Sequence, residues 1–262
     1  MSKREMSVAG SFYPRECSEI KRYIESFNAD EEEAYSLKAR AMITPHAGYV
    51  FSGYTANYAY RQIDTQAIKR VVVIGPSHRV YLKDASIGIF ESYDSPCGQM
   101  KVDIEYAQSL LAEYDSLSFV PSAHQEHSTE TQIPFIQHYF KQVSVLEIVY
   151  GDIEHFQLVP LIHALLEDEE NFVVISTDLS HFHSLEEANS LDGICYKAIE
   201  NMDVKAMDKG CEACGKIGVK ALIEAGVEMG MYTKVMDYRT SYDANLDKAS
   251  VVGYLSALML KG

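Results

Sequence analysis

The chain has no tryptophan, few cysteines, a shortage of basic residues and no long apolar run. A bilayer-spanning helix takes about 20 consecutive apolar residues, and no stretch approaches that length, so an integral membrane protein of the helical kind is excluded. Lys and Arg together number 23 against 38 Asp and Glu, a net charge of −15. That balance repels phosphate backbones and argues against nucleic acid and anionic membranes as partners. The densest basic clusters, Lys3-Arg4 and Lys69-Arg70, are too small to offset it. The start of the chain, Met1 to Cys17, lacks an apolar core, so no secretion signal is expected. Five cysteines (Cys17, Cys97, Cys195, Cys211, Cys214) are too few and too scattered for a disulfide framework. They predict a reduced, cytoplasmic protein. The missing tryptophan, beside 18 tyrosines, excludes nothing by itself.

What is present is a chain of 262 residues, 47% hydrophobic, long enough to bury a full core. No repeat, low-complexity tract or Pro/Gly/Ser-rich linker divides it, which predicts one domain over 1–262. A first helix is expected over Cys17–Asn28, followed by the acidic Asp30-Glu31-Glu32-Glu33. Strands are expected at Ala39–Thr44, Val71–Gly75, Ala85–Phe90, Val143–Tyr150, Phe172–Ser176, Met231–Asp237 and Ser250–Leu258. Helical periodicity marks Gly53–Ile63, Asp103–Tyr114, Ser128–Phe140, Glu154–Leu166, Leu185–Asn201 and Cys214–Ala225. Such alternation predicts a single three-layer α/β/α domain around a mixed, mainly parallel sheet, its last two strands antiparallel to each other.

In a sheet of this kind the functional crevice lies outside the carboxyl ends of the strands. Three apolar runs end in the same chemistry. Ala41-Met42-Ile43 leads into Thr44-Pro45-His46, Val71–Ile74 into Gly75-Pro76-Ser77-His78, and Phe172–Ile175 into Ser176-Thr177-Asp178-Leu179-Ser180-His181-Phe182-His183. One histidine after a strand is an ordinary loop residue. Three such strand ends bring several imidazoles and Asp178 to one edge, which suits a mononuclear metal site or proton transfer. His138, His155 and His163 carry no motif and fit helix surfaces.

The pair Cys211-Glu212-Ala213-Cys214 has no second pair to complete a four-thiolate site. Cys214 opens an amphipathic helix, where a thiolate would be stabilised, so it is either an anionic ligand or nucleophile or a small buried packing residue. In Pro121–Glu130, Ser128 is expected to cap a helix. Glu126 and His127 just before it either support the crevice or serve the turn.

Together these motifs resemble the Memo family. The matching segments are Ala9-Gly10-Ser11-Phe12-Tyr13-Pro14, Pro45-His46-Ala47-Gly48-Tyr49 with Ser52-Gly53, Gly75-Pro76-Ser77-His78, Glu126-His127-Ser128 with Glu130, Gln132 and Pro134-Phe135, Ser176-Thr177-Asp178-Leu179-Ser180-His181, and Cys214-Gly215. The resemblance implies a fold related to the class III extradiol dioxygenases, non-haem iron enzymes whose Fe(II) is held by two His and one carboxylate. It places His46, His78 and Cys214 as metal ligands, with the thiol where the carboxylate would stand. His181 falls at the acid–base position, with Asp178 beside it. It also implies a radical-SAM protein and an Ammecr-type protein as partners. Thiolate in place of carboxylate leaves Fe(II) or copper as the expected ion, with zinc the third choice. Ring cleavage is not inherited from the fold, because function belongs to the site.

Two readings follow. In the first the protein is a metal-dependent oxidoreductase acting on a small-molecule substrate. In the second it is a binding module whose cleft captures a peptide or an anionic group, as the association of eukaryotic relatives with phosphorylated receptor tails suggests. A metal-free hydrolase with Cys214 as nucleophile is a weaker third, since no oxyanion-hole motif accompanies it.

Overall fold

A computed structural model describes residues 2–29 and 34–262; the acidic 30–33 stretch lies outside them. Among the described residues, nine strands form one mixed sheet. Its order is Met231–Thr240, Val251–Lys261, Ala39–Thr44, Asn171–Ser176, Arg70–Pro76, Ser144–Tyr150, Ala85–Ile87 and Leu117–Ser118, and His181–His183 pairs separately with Val251–Lys261. The four central strands, from Ala39–Thr44 to Ser144–Tyr150, are mutually parallel. Every residue of Ala39–Thr44 and Asn171–Ser176 is buried. That is why they read as unbroken apolar runs rather than as alternation. The last two long strands are antiparallel to each other, as expected.

Side chains alternate between the faces of a strand, and Asn171–Ser176 shows both faces covered. Phe172 packs on Phe140 at the end of the Ile133–Tyr139 helix, ring centroids 5.4 Å apart. Ile175, of opposite parity, meets Gly218 in the Lys216–Glu228 helix. Helices therefore flank the sheet on both sides, the predicted three-layer α/β/α arrangement with its core on either face of the parallel strands.

Several boundaries move for local reasons. The expected Ser128–Phe140 helix is two, His127–Glu130 and Ile133–Tyr139. Pro134 lies in the first turn of the second, where its missing N–H costs nothing. The cap of the first is Glu126, whose carboxylate accepts the Ser128 N–H, while the Ser128 hydroxyl donates to the Pro76 carbonyl. The expected Cys214–Ala225 helix begins at Lys216. A Cβ on Gly215 would come within 2.7 Å of the Ser176 carbonyl, so only glycine lets the two backbones approach this closely.

The cysteine expectation is corrected. Cys17–Cys97 and Cys195–Cys211 form disulfides, with Cα atoms 4.7 and 4.8 Å apart, and Cys214 alone is free. The pairs are 80 and 16 residues apart in sequence, so the fold, not spacing, brings them together. Cysteine content accordingly gives no argument for a reducing compartment. Among the described residues no helix is long and apolar enough to cross a membrane.

Candidate metal centre

Parallel pairing sets the strand ends side by side: Thr44 is in register with Ser176, and Ile74 with Ile175. His46, His78 and Asp178 follow directly. His46 is 1% exposed, and its Nδ1 lies 2.9 Å from the Ser176 hydroxyl. Gln132 donates to that same hydroxyl (3.2 Å) and to the Pro45 carbonyl (2.9 Å), and its own carbonyl accepts from Tyr60. The ring is thus locked through Nδ1, which leaves Nε2 as the available donor atom. Cys214 Sγ lies 3.4 Å from it.

Asp178 is built into the backbone around these groups. Its Oδ1 accepts the N–H of His46 (2.8 Å) and of Ala47 (3.3 Å), its own N–H reaches Cys214 Sγ at 3.2 Å, and its carbonyl accepts the Cys214 N–H (3.1 Å). The second oxygen, Oδ2, stands 3.8 Å from His46 Nε2.

On the other side, Glu126 holds two imidazoles. It accepts the His78 N–H (2.7 Å), and Oε1 lies 3.2 Å from His78 Nδ1. His127 Nδ1 is 2.8 Å from the same oxygen but outside hydrogen-bonding geometry. The His127 ring centroid is 4.5 Å from His78, 5.3 Å from His46 and 4.7 Å from Phe12. Donor atoms of His46, His78 and Cys214 lie within 4.8 Å of one another, and so do those of His78, Glu126 and His127.

The electrostatics divide along the same line. Burial pushes the His46 imidazole down to about 4, against the opposing pull of Asp178, so it is a neutral ligand. Burial and the Asp178 charge push the Cys214 thiol up to about 12. This corrects the expected thiolate at a helix start, because the helix begins two residues later and the sulfur is enclosed. A thiolate here needs a cation to hold it. Burial also opposes ionisation of Glu126, but the close approach of the His127 ring and the hydrogen bonds from His78 outweigh it and hold the carboxyl well below its usual range.

Of the predicted site residues, the structure brings His46, His78, Cys214 and Asp178 together. His181 stands on the short His181–His183 strand, half-buried, its ring beside Phe182; no hydrogen bond or ion pair joins it to the other four. His127, left undecided by the sequence, lies against both His46 and His78. The signal for it was the density of polar groups in Pro121–Glu130 just before an apolar helix. Two imidazoles and a thiol whose donor atoms converge to within 4.8 Å fit a transition metal or zinc.

The strand-edge crevice and its donor set define a protein of the class III extradiol dioxygenase-like fold. A family model described as Memo-like protein matches residues 4–258. A MEMO1 family protein of Aquifex aeolicus is 32% identical, the alignment covering 99% of this chain and all of that protein, and one of Methanobrevibacter smithii is 31% identical over 97% of this chain and 99% of its own length. The chain belongs to the Memo-like family.

Proposed function

We propose that the protein is a metal-dependent oxidoreductase in which His46, His78 and Cys214 hold one ion, Fe(II) or copper before zinc, and that it acts on a small-molecule substrate. The observation that carries this reading is the approach of two imidazole nitrogens and a thiol to within 4.8 Å. When bound, such an ion supplies electron-transfer or oxygen-directed chemistry at an open coordination position. The chain's own residues do the rest. Ser176 and Gln132 fix the His46 ring, and Asp178 fixes the His46 backbone and the Cys214 loop. Glu126 orients His78 and lies against His127 Nδ1, leaving His127 Nε2 to take or give a proton beside the ligands. Phe12, its ring tilted against His127 with centroids 4.7 Å apart, limits water there. His181, the acid–base group implied by the resemblance, remains part of the proposal as a second proton carrier beyond this shell.

The test is metal analysis of protein purified without added metal. About one equivalent in the wild type, falling below about a tenth in Cys214→Ala and His46→Ala, is expected. Unchanged content in both variants overturns the assignment.

A further inference from the structure

We propose that a cavity lined by the 3–7 segment, Arg79, Phe90 and the 121–125 segment binds a small organic oxyanion: a carboxylate or phosphate group on an apolar body. The cavity has a volume of about 410 Å³, and its wall includes Lys3, Arg4 and Arg79 against one acid, Glu5. In a chain whose acids outnumber its bases 38 to 23, this wall reverses the overall balance. Lys3 and Arg79 are exposed and form no ion pair among the described residues. Arg4 is 4% exposed; its two terminal nitrogens serve Glu130, Glu147 and the carbonyls of Glu5 and Glu126, while Nε is buried without a partner. Lys3 and Arg79, the two exposed cations of this wall, are the groups an entering anion would meet.

The buried carboxylates Glu130 and Glu147 pair with Arg4 and not with Lys3 or Arg79. Neither Glu130 nor Glu147 lines the cavity, and both are saturated with donors. Glu130 takes the Ser7 and Val8 N–H groups and the Tyr13 hydroxyl; Glu147 takes the Tyr93 hydroxyl and pairs with His124 Nδ1 at 2.7 Å. His124 also lines the wall but has its second nitrogen 2.8 Å from Ser86, so it offers no free donor. Phe90 adds an apolar surface for the body of the ligand. Guanidinium and ammonium groups recognise carboxylate and phosphate through charge-assisted hydrogen bonds. Lys3-Arg4 is too small a cluster in sequence, and the fold completes it with Arg79, the neighbour of His78.

The experiment is calorimetric titration of the metal-loaded full chain with inorganic phosphate, phenyl phosphate and hexanoate at low ionic strength. Saturable binding of phenyl phosphate or hexanoate is expected, weakened at least about tenfold by Arg79→Gln and by Lys3→Gln and weakened by added salt. It should persist in metal-stripped protein and in His46→Ala, which separates it from an anion on the metal. A response to hexanoate alone assigns a carboxylate ligand, and one to phenyl phosphate alone assigns a phosphate. Both substituted residues are exposed, and unchanged metal content in Arg79→Gln verifies an intact centre. No saturable binding of any of the three, binding that survives both substitutions, or binding lost on removing the metal overturns the proposal.

Discussion

His46 and His78, the two histidines of the candidate centre, are prepared in opposite ways. His46 is enclosed, oriented by the neutral hydroxyl of Ser176, and pushed by burial to about 4. His78 is more open and is oriented by Glu126, a carboxylate held ionised by the two imidazoles it touches. A hydroxyl fixes a ring through a neutral partner; a carboxylate fixes it through a charged one. One wall of the site is thus built on neutral hydrogen bonds and the other on a buried carboxylate. His127 lies on the second wall.

The contrast is broken most severely by removing the donor that closes the first wall. Cys214→Ala should lose metal almost entirely, as above, since no other thiol lies free. Next comes the carboxylate. Glu126→Gln should weaken metal binding by roughly 10–100-fold, because it releases the His78 ring, whereas Ser176→Ala should cost only a few-fold, since burial still confines His46. Competition with a chelator of known affinity measures both, and equal losses would erase the distinction between the walls.

A smaller effect separates the two proton-carrier candidates. His127→Gln should lower the rate of any turnover, or of oxygen consumption by the iron-loaded protein, by about 10²-fold and alter its pH profile, with metal content retained. His181→Gln should act less strongly, since nothing joins it to the ligand cluster. The reverse ranking would return the acid–base role to His181.

A further effect is on pH. The Cys214 thiol, at about 12, is protonated throughout the ordinary range, whereas His46, at about 4, is already neutral. Binding a cation must therefore expel the thiol proton while costing His46 nothing. Affinity should rise by about tenfold per pH unit between about pH 6 and about pH 8, with release of about one proton from Cys214. A flat profile would mean that the sulfur is not a ligand.

How much of this was legible in the sequence follows from the range of the interactions. His46 and His78 stand directly after strands, and the position of a parallel strand's end is a local property of the chain. Cys214 could be located from the motif, but not its protonation, which depends on enclosure by Thr177 and Asp178 some 36 residues away. Glu126 and His127 became interpretable only once the 124–130 segment packed against His78. The disulfides were illegible for the same reason: Cys17 and Cys97 meet through tertiary packing. The break before Ile133, in contrast, was available from Pro134, which is favoured in the first turn of a helix.

The central claim is that sulfur and two imidazoles share one ion. X-ray absorption at the metal edge of protein purified without added metal tests it most directly. The account predicts one sulfur scatterer at about 2.3 Å with nitrogen scatterers at about 2.0–2.1 Å if the ion is zinc, with comparable sulfur and nitrogen shells for iron or copper. The sulfur shell should vanish in Cys214→Ser. A spectrum with nitrogen and oxygen scatterers alone, unchanged by that substitution, would contradict the account and place the ion among His78, Glu126 and His127 instead.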